Sequence, residues 1–324
     1  MKAIIQDRYG SPDVLELRDI EKPVAKDGEV LIRIRAASAN PADWRLMRGD
    51  PYLARGMMRR VRKPGEAAIL GADIAGEVES IGKNVTRFRP GDEVYAEVRT
   101  GGFAEYIGFP EDRLGLKPTN LTFEQAAAVP MAGMTALQGL RDAGRIRPGQ
   151  KVLVNGASGG IGTFAVQIAK SYGAEVTGVS STRNADMVRS IGADHVIDYT
   201  QEDFTHGEQR YDLLLDTVGN RSLWEFRRVL VTKGTLAIVG GGGGRLLGPF
   251  AQILGAILLS PFVSQRMAPV TMVPNKGDLE FLKELIEAGK VTPVIDRTYP
   301  LSEVSEAIRY LERGHARGKV VITV

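Results

Sequence analysis

The segment Lys151-Val-Leu-Val-Asn-Gly-Ala-Ser-Gly-Gly-Ile-Gly162 decides the fold. An apolar run suited to a strand leads into a glycine-rich turn. A helix follows, with Phe164, Ile168 and Ala169 on one face and Gly173 where a helix end favours a left-handed residue. A second strand is expected over 175–179, so the unit has about the 30 residues of a strand–turn–helix–strand dinucleotide module. A helix start offers unpaired N–H groups and the positive end of a dipole to a pyrophosphate. Glycine at 156, 159 and 162 removes the side chains that would block its approach. The turn residues Gly156, Ala157, Ser158, Gly159, Gly160, Ile161 and Gly162 are therefore the expected cradle.

Downstream, further strands are read at 195–197, 213–216 and 235–239, with helices between them, the alternation of a parallel sheet covered on both faces. The second strand of the module ends in Gly178-Val-Ser-Ser-Thr-Arg183. An NAD site usually carries an Asp or Glu there for the ribose 2′-hydroxyl. With no acid present, Ser180 and Ser181 are expected to donate to a 2′-phosphate and Arg183 to pair with it, which favours NADPH. The five glycines 240–244 read equally as a flexible loop or as room for a ligand.

Upstream the texture is different. From 1 to about 117 short β runs, among them 29–39, 76–81 and 92–98, alternate with Gly, Pro and Asp turns. The tail, with strands at 291–297 and 319–324 around a helix at 304–312, is expected to rejoin this β-rich part. The domains are read as 1–121, 122–290 and 291–324.

Composition limits the chemistry. The 324 residues are 43% hydrophobic, with 42 basic against 39 acidic side chains, so there is core material for two domains and no charge excess that suggests nucleic acid. No cysteine is present, which removes disulfides, thiolate-bound zinc, iron–sulfur clusters and a thiol nucleophile. The stretch 246–263 is apolar but broken by Pro249, Gln252 and Pro261, so a buried helix or an oligomer contact is expected rather than a membrane span. The first ten residues carry Lys2, Asp7 and Arg8, and a cytoplasmic location is expected.

These features resemble the zinc-independent quinone oxidoreductase, or zeta-crystallin-like, branch of the medium-chain dehydrogenase/reductase superfamily. The markers run through nearly the whole chain: Asn40-Pro-Ala-Asp43, Gly71-Ala-Asp-Ile-Ala-Gly-Glu77, Arg89-Pro-Gly-Asp-Glu-Val94, Gly102-Phe-Ala-Glu-Tyr106, Ala126-Ala-Ala-Val-Pro-Met-Ala-Gly-Met-Thr135, the glycine turn, Gly192-Ala-Asp-His-Val-Ile-Asp-Tyr199 and Gly318-Lys-Val-Val-Ile322. The resemblance implies a GroES-like β-barrel catalytic domain formed from both chain ends, a doubly wound Rossmann domain between them, an active site in the cleft between the two, and a homodimer or homotetramer. It also implies cofactor contacts at Thr135, Tyr199, Gly240, Gly241 and Lys319. Zinc-containing relatives carry Cys where this chain has Asn40 and His where it has Ala72, so no metal is expected.

Hydride transfer to a carbonyl, alkene or quinone builds negative charge on oxygen, and without a metal that charge calls for hydrogen-bond donors. Asn40 and Tyr52 are the candidate donors, with Asp43 orienting Asn40 or closing its turn. The expected activity is NADPH-dependent reduction of a small activated carbonyl, enone or quinone. A metal-free alcohol dehydrogenase or ketone reductase and a non-catalytic NADPH-binding protein stay open as alternatives. The basic stretch 55–64 reads as a solvated loop or as a rim attracting anionic substrates.

Overall fold

Strand-forming runs separated by tight turns organise the first third of the chain into β1 (Lys2–Gln6), β2 (Leu15–Asp19), β3 (Glu29–Ala39), β4 (Ala68–Ile69), β5 (Asp73–Ile81), β6 (Glu93–Glu97), β7 (Tyr106–Pro110) and β8 (Gly115–Leu116). The structure is a computed structural model that describes residues 1–50, 68–240 and 250–324. β3 pairs antiparallel with β5, placing Ser38 opposite Asp73, and β5 pairs with β6, placing Asp73 opposite Glu97. Gly76 permits the close β3–β5 approach, since a Cβ there would lie 2.2 Å from the Arg33 carbonyl oxygen. The helix Pro41–Arg48 leaves the end of β3 with Asn40 as its N-cap.

The next stretch holds β9 (Lys151–Asn155), β10 (Glu175–Ser180), β11 (His195–Asp198), β12 (Tyr211–Asp216), β13 (Leu230–Ile238) and β14 (Arg266–Pro269). They form one parallel sheet in the order β11-β10-β9-β12-β13-β14, in which the direction of winding reverses between β9 and β12. Leu153, Val179, Leu214, Phe226, Leu236 and Ile238 form its core. β14 is not among the expected strands: four residues ending in proline carry too short a pattern to read. The stretch 246–263 contains the helix Phe250–Leu259, but Leu254, Ile257 and Leu258 stand exposed on it, so it is not a buried helix.

After the helix Lys276–Glu287 come β15 (Ile295–Pro300), the helix Val304–Glu312 and β16 (Lys319–Thr323). β16 pairs antiparallel with β3, bringing Val321 opposite Ser38. The chain thus divides into two units: Met1–Met131 with Pro274–Ala288 and Pro293–Val324, and Ala132–Val273 with Gly289–Thr292.

These bounds differ from the expected 121/122 and 290/291. The helix Phe123–Ala127 packs on β3 and β5, and the Met131 N–H donates to Asp73 Oδ1 at 2.8 Å, which extends the first unit. The helix Lys276–Glu287 belongs there too, because Tyr95 Oη donates to the Leu279 carbonyl at 2.5 Å and both Thr119 and Asn120 bond its last turn. Periodicity finds such a helix but not the surface it packs against.

Candidate active site

In the second unit, β9 runs into the glycine turn and the helix Gly160–Ser171 begins at Gly159, which supplies no side-chain cap. The first-turn N–H groups therefore lack the usual side-chain acceptor. The three glycines do different work. Gly156 has φ +85°, and a Cβ there would meet Thr217 Oγ1 at 2.5 Å; a Cβ on Gly162 would meet the Gly156 carbonyl oxygen at 2.0 Å. Gly159 is the unencumbered one, its nearest would-be contact lying at 3.5 Å. Two glycines thus satisfy turn and packing, and the middle one leaves room at the helix start.

Ser180 ends β10, and the Tyr199 N–H donates to the Ser180 carbonyl at 3.0 Å, so the expected 2′-phosphate residues gather at one end of neighbouring strands. Tyr199 is 52% exposed and Arg183 is exposed, while Ser181 is half-buried and Ser180 buried. Asn184 is a residue the sequence did not single out: its Nδ2 donates to Ser158 Oγ at 3.1 Å, tying the loop after β10 to the glycine turn. Asp198 also lies here, but its carboxylate accepts from the hydroxyls of Thr182 and Thr200, which lower its pKa. Thr135 is buried on the helix Pro130–Gln138. Gly240 follows β13, where a Cβ would meet nothing within 4 Å. Gly241 lies outside the described residues.

At the ends of β9 and β12, where the sheet reverses, Asn155 Nδ2 donates to Asp216 Oδ1 at 2.8 Å and the Val218 and Gly219 N–H groups donate to the same oxygen. Burial raises the Asp216 pKa against these donors. This pair braces the turn beside Gly156.

In the first unit a buried polar cluster surrounds Asn40. The Asn40 N–H donates to Asp43 Oδ2 at 2.7 Å and the Gly71 N–H to Asp43 Oδ1 at 3.1 Å. Asp43 therefore closes the turn at the helix start and pins the loop before β5. Asn40 Nδ2 donates to the Ser38 carbonyl at 3.2 Å and to Asp73 Oδ2 at 3.0 Å, while Asn40 Oδ1 accepts from Lys319 Nζ at 2.5 Å. Both amide hydrogens are spent inside the protein and Asn40 is 3% exposed. Asn40 is the expected donor to a substrate oxygen; here its buried amide serves its neighbours.

Lys319, an expected cofactor contact, belongs to the same cluster. Its ammonium bonds Asn40 and, at 3.3 Å, Asp73 Oδ2, with 3% of the residue exposed. Glu97 was not foreseen. It stands beside Asp73 on the next strand, with Oε1 accepting from the Arg99 N–H and Oε2 buried without a partner. Burial, then repulsion from Asp73, pushes its pKa up to about 7. Burial raises Asp43 to about 7 as well, against the donors from Asn40 and Gly71. Of three neighbouring acids, burial raises Asp43 and Glu97, and Asp73 is the one paired with the Lys319 ammonium. Tyr52 and the basic stretch 55–64 lie outside the described residues.

Residues 26–119 match the alcohol dehydrogenase GroES-like domain, and residues 191–322 match the zinc-binding dehydrogenase family. The chain is 33% identical to the mitochondrial NAD(P)H oxidoreductase RTN4IP1 of Mus musculus over 100% of this chain and 89% of that one. It is 35% identical to the chloroplastic NADPH-dependent alkenal/one oxidoreductase of Arabidopsis thaliana, over 99% of this chain and 79% of that one. Among solved structures, the quinone oxidoreductase from Coxiella burnetii superimposes with a TM-score of 0.88 at 32% identity, covering 100% of this chain and 99% of the other. The chain belongs to the medium-chain dehydrogenase/reductase superfamily. It is an oxidoreductase.

Proposed function

We propose that the protein uses NADPH to reduce small activated acceptors, quinones and α,β-unsaturated carbonyls, without zinc. The observation that carries this reading is the commitment of the Asn40 amide to Ser38, Asp73 and Lys319. A site whose foremost donor is spent internally gives little help to a simple ketone, whose reduction concentrates charge on one oxygen. Quinones and enones spread that charge through their own conjugation. The relatives named above for alkenal/one and quinone reduction support the same acceptor class.

The residues fit the cofactor. The uncapped start of the helix Gly160–Ser171 would hold the pyrophosphate, and Ser180, Ser181, Arg183 and Tyr199 would hold the 2′-phosphate. When bound, NADPH supplies the hydride. The test is NADPH oxidation measured in parallel with quinones, enones, enoyl thioesters and simple ketones. Quinones or enones should turn over on the order of a hundredfold faster than ketones, the scale of one well-placed oxyanion donor. Comparable ketone rates would favour an alcohol dehydrogenase, and NADPH binding with no turnover of any acceptor would favour a binding protein.

We further propose self-association into a homodimer or homotetramer through the second unit. Leu254, Ile257, Leu258 and Phe262 are exposed, Phe262 to 83%, and within the sheet β14 pairs on one edge only among the described residues. An apolar face beside an open strand edge is the kind of surface a second copy covers. Ile257→Glu should shift the mass in analytical ultracentrifugation toward the monomer; equal masses for variant and wild type would remove this face from the interface.

A further inference from the structure

The zinc-binding dehydrogenase match raises the question of whether this chain could hold zinc, and its residues do not fit. Ala72 offers no donor atom and Asn40 stands where the resemblance places a cysteine. Asp73 has no oxygen to spare: Oδ1 accepts from the Met131 N–H at 2.8 Å, and Oδ2 from Ser38 Oγ at 3.0 Å, Asn40 Nδ2 at 3.0 Å and Lys319 Nζ at 3.3 Å. A cation nevertheless lies between Asn40 and Asp73, and it is the ammonium of Lys319.

Lys319 begins β16, which pairs with the end of β3, so the last strand of the chain delivers the charge beside the first turn of the helix Pro41–Arg48. An ammonium only donates. The Asn40 amide must therefore turn Oδ1 toward Lys319, which aims Nδ2 at Asp73 and the Ser38 carbonyl. A buried ion pair adds little net stability compared with apolar residues of the same volume, but removing one partner strands the other charge. Its distinctive contribution here is orientation.

We propose that Lys319 is a positioning residue of the reductase: a tethered cation that takes the place of a metal ion, neutralising Asp73 and fixing the Asn40 amide and the helix start that follows. The proposal rests on the reductase reading for its kinetic readout, while its thermodynamic readout is independent of it.

Lys319→Met should lower the melting temperature by about 10 °C, because Asp73 is left buried without its cation. Adding Asp73→Asn removes the stranded charge and should recover most of that loss. In this doubly substituted enzyme kcat with an enone should stay on the order of tenfold below wild type while KM and the NADPH Kd hold, since the helix start that follows Asn40 is no longer held in place. Asn40→Ala should reproduce that pattern. Wild-type kcat in the doubly substituted enzyme would reduce Lys319 to charge balance and overturn the proposal, as would an unchanged melting temperature in Lys319→Met. A wild-type enzyme that turns over no enone at all would instead count against the reductase reading, leaving the melting temperatures to judge the pairing.

Discussion

The glycine turn and the Asn40 cluster are two ways of building a polar site. The turn is local and made of backbone: β9, the turn residues 156–159 and one helix start supply its N–H groups, and the side chains matter by being absent. The cluster is made of side chains from separate parts of the sequence, Ser38, Asn40, Asp43, Asp73, Glu97 and Lys319, carried on β3, β5, β6, β16 and the helix Pro41–Arg48 or its cap. The first is sensitive to added volume and indifferent to pH. The second should tolerate isosteric changes and respond strongly to charge.

Substituting within the turn should have the largest effect. Gly162→Val places a Cβ 2.0 Å from the Gly156 carbonyl oxygen, a backbone atom that cannot rotate away. Overpacking of this kind costs on the order of 3 kcal/mol or more. Urea unfolding should show the loss, together with loss of NADPH binding; a variant as stable as wild type would mean that the turn is looser than its geometry indicates.

The cluster should answer to pH. Glu97 loses its proton near 4.5 in an unfolded chain and near 7 in the fold, with burial as the main cause and Asp73 as the second. Between those values the folded state binds the extra proton, so the stability it carries is full below about pH 4.5 and is lost as pH rises to about 7. Glu97→Gln mimics the protonated acid and should flatten that slope, leaving the variant roughly 2 kcal/mol more stable than wild type at pH 8. Thermal melts from pH 4.5 to 8 measure it, and parallel slopes for the two proteins would mean that Glu97 is ionised in the fold.

The smallest effect is expected at the rim of the cofactor site. NADPH should bind at least tenfold more tightly than NADH, because charge-assisted bonds to the 2′-phosphate contribute ~1.5 to 3 kcal/mol. Arg183→Ala should narrow that ratio and leave NADH affinity alone. Equal dissociation constants for the two cofactors in the wild-type protein would remove the 2′-phosphate role of Ser180, Ser181, Arg183 and Tyr199.

The sequence by itself determined what depends on neighbours along the chain. The alternation of strand and helix, the glycine turn and the missing acid after β10 are all local patterns. Each follows from backbone freedom, periodicity or the donor set of one residue. Only the tertiary structure decided which distant charges meet. Asp73 lies opposite Glu97 because β5 and β6 pair in that register, and Lys319 reaches Asn40 because β16 pairs with β3 across almost the whole length of the chain. A motif can flag Lys319, yet whether its ammonium faces a phosphate or a buried carboxylate is set by strand pairing. The helix Lys276–Glu287 is a further case: the hydroxyl of Tyr95 holds it to the β-rich unit, and no periodicity within the helix encodes that partner. Pairing and burial are long-range, and the free energy of a buried charge depends on what surrounds it in space.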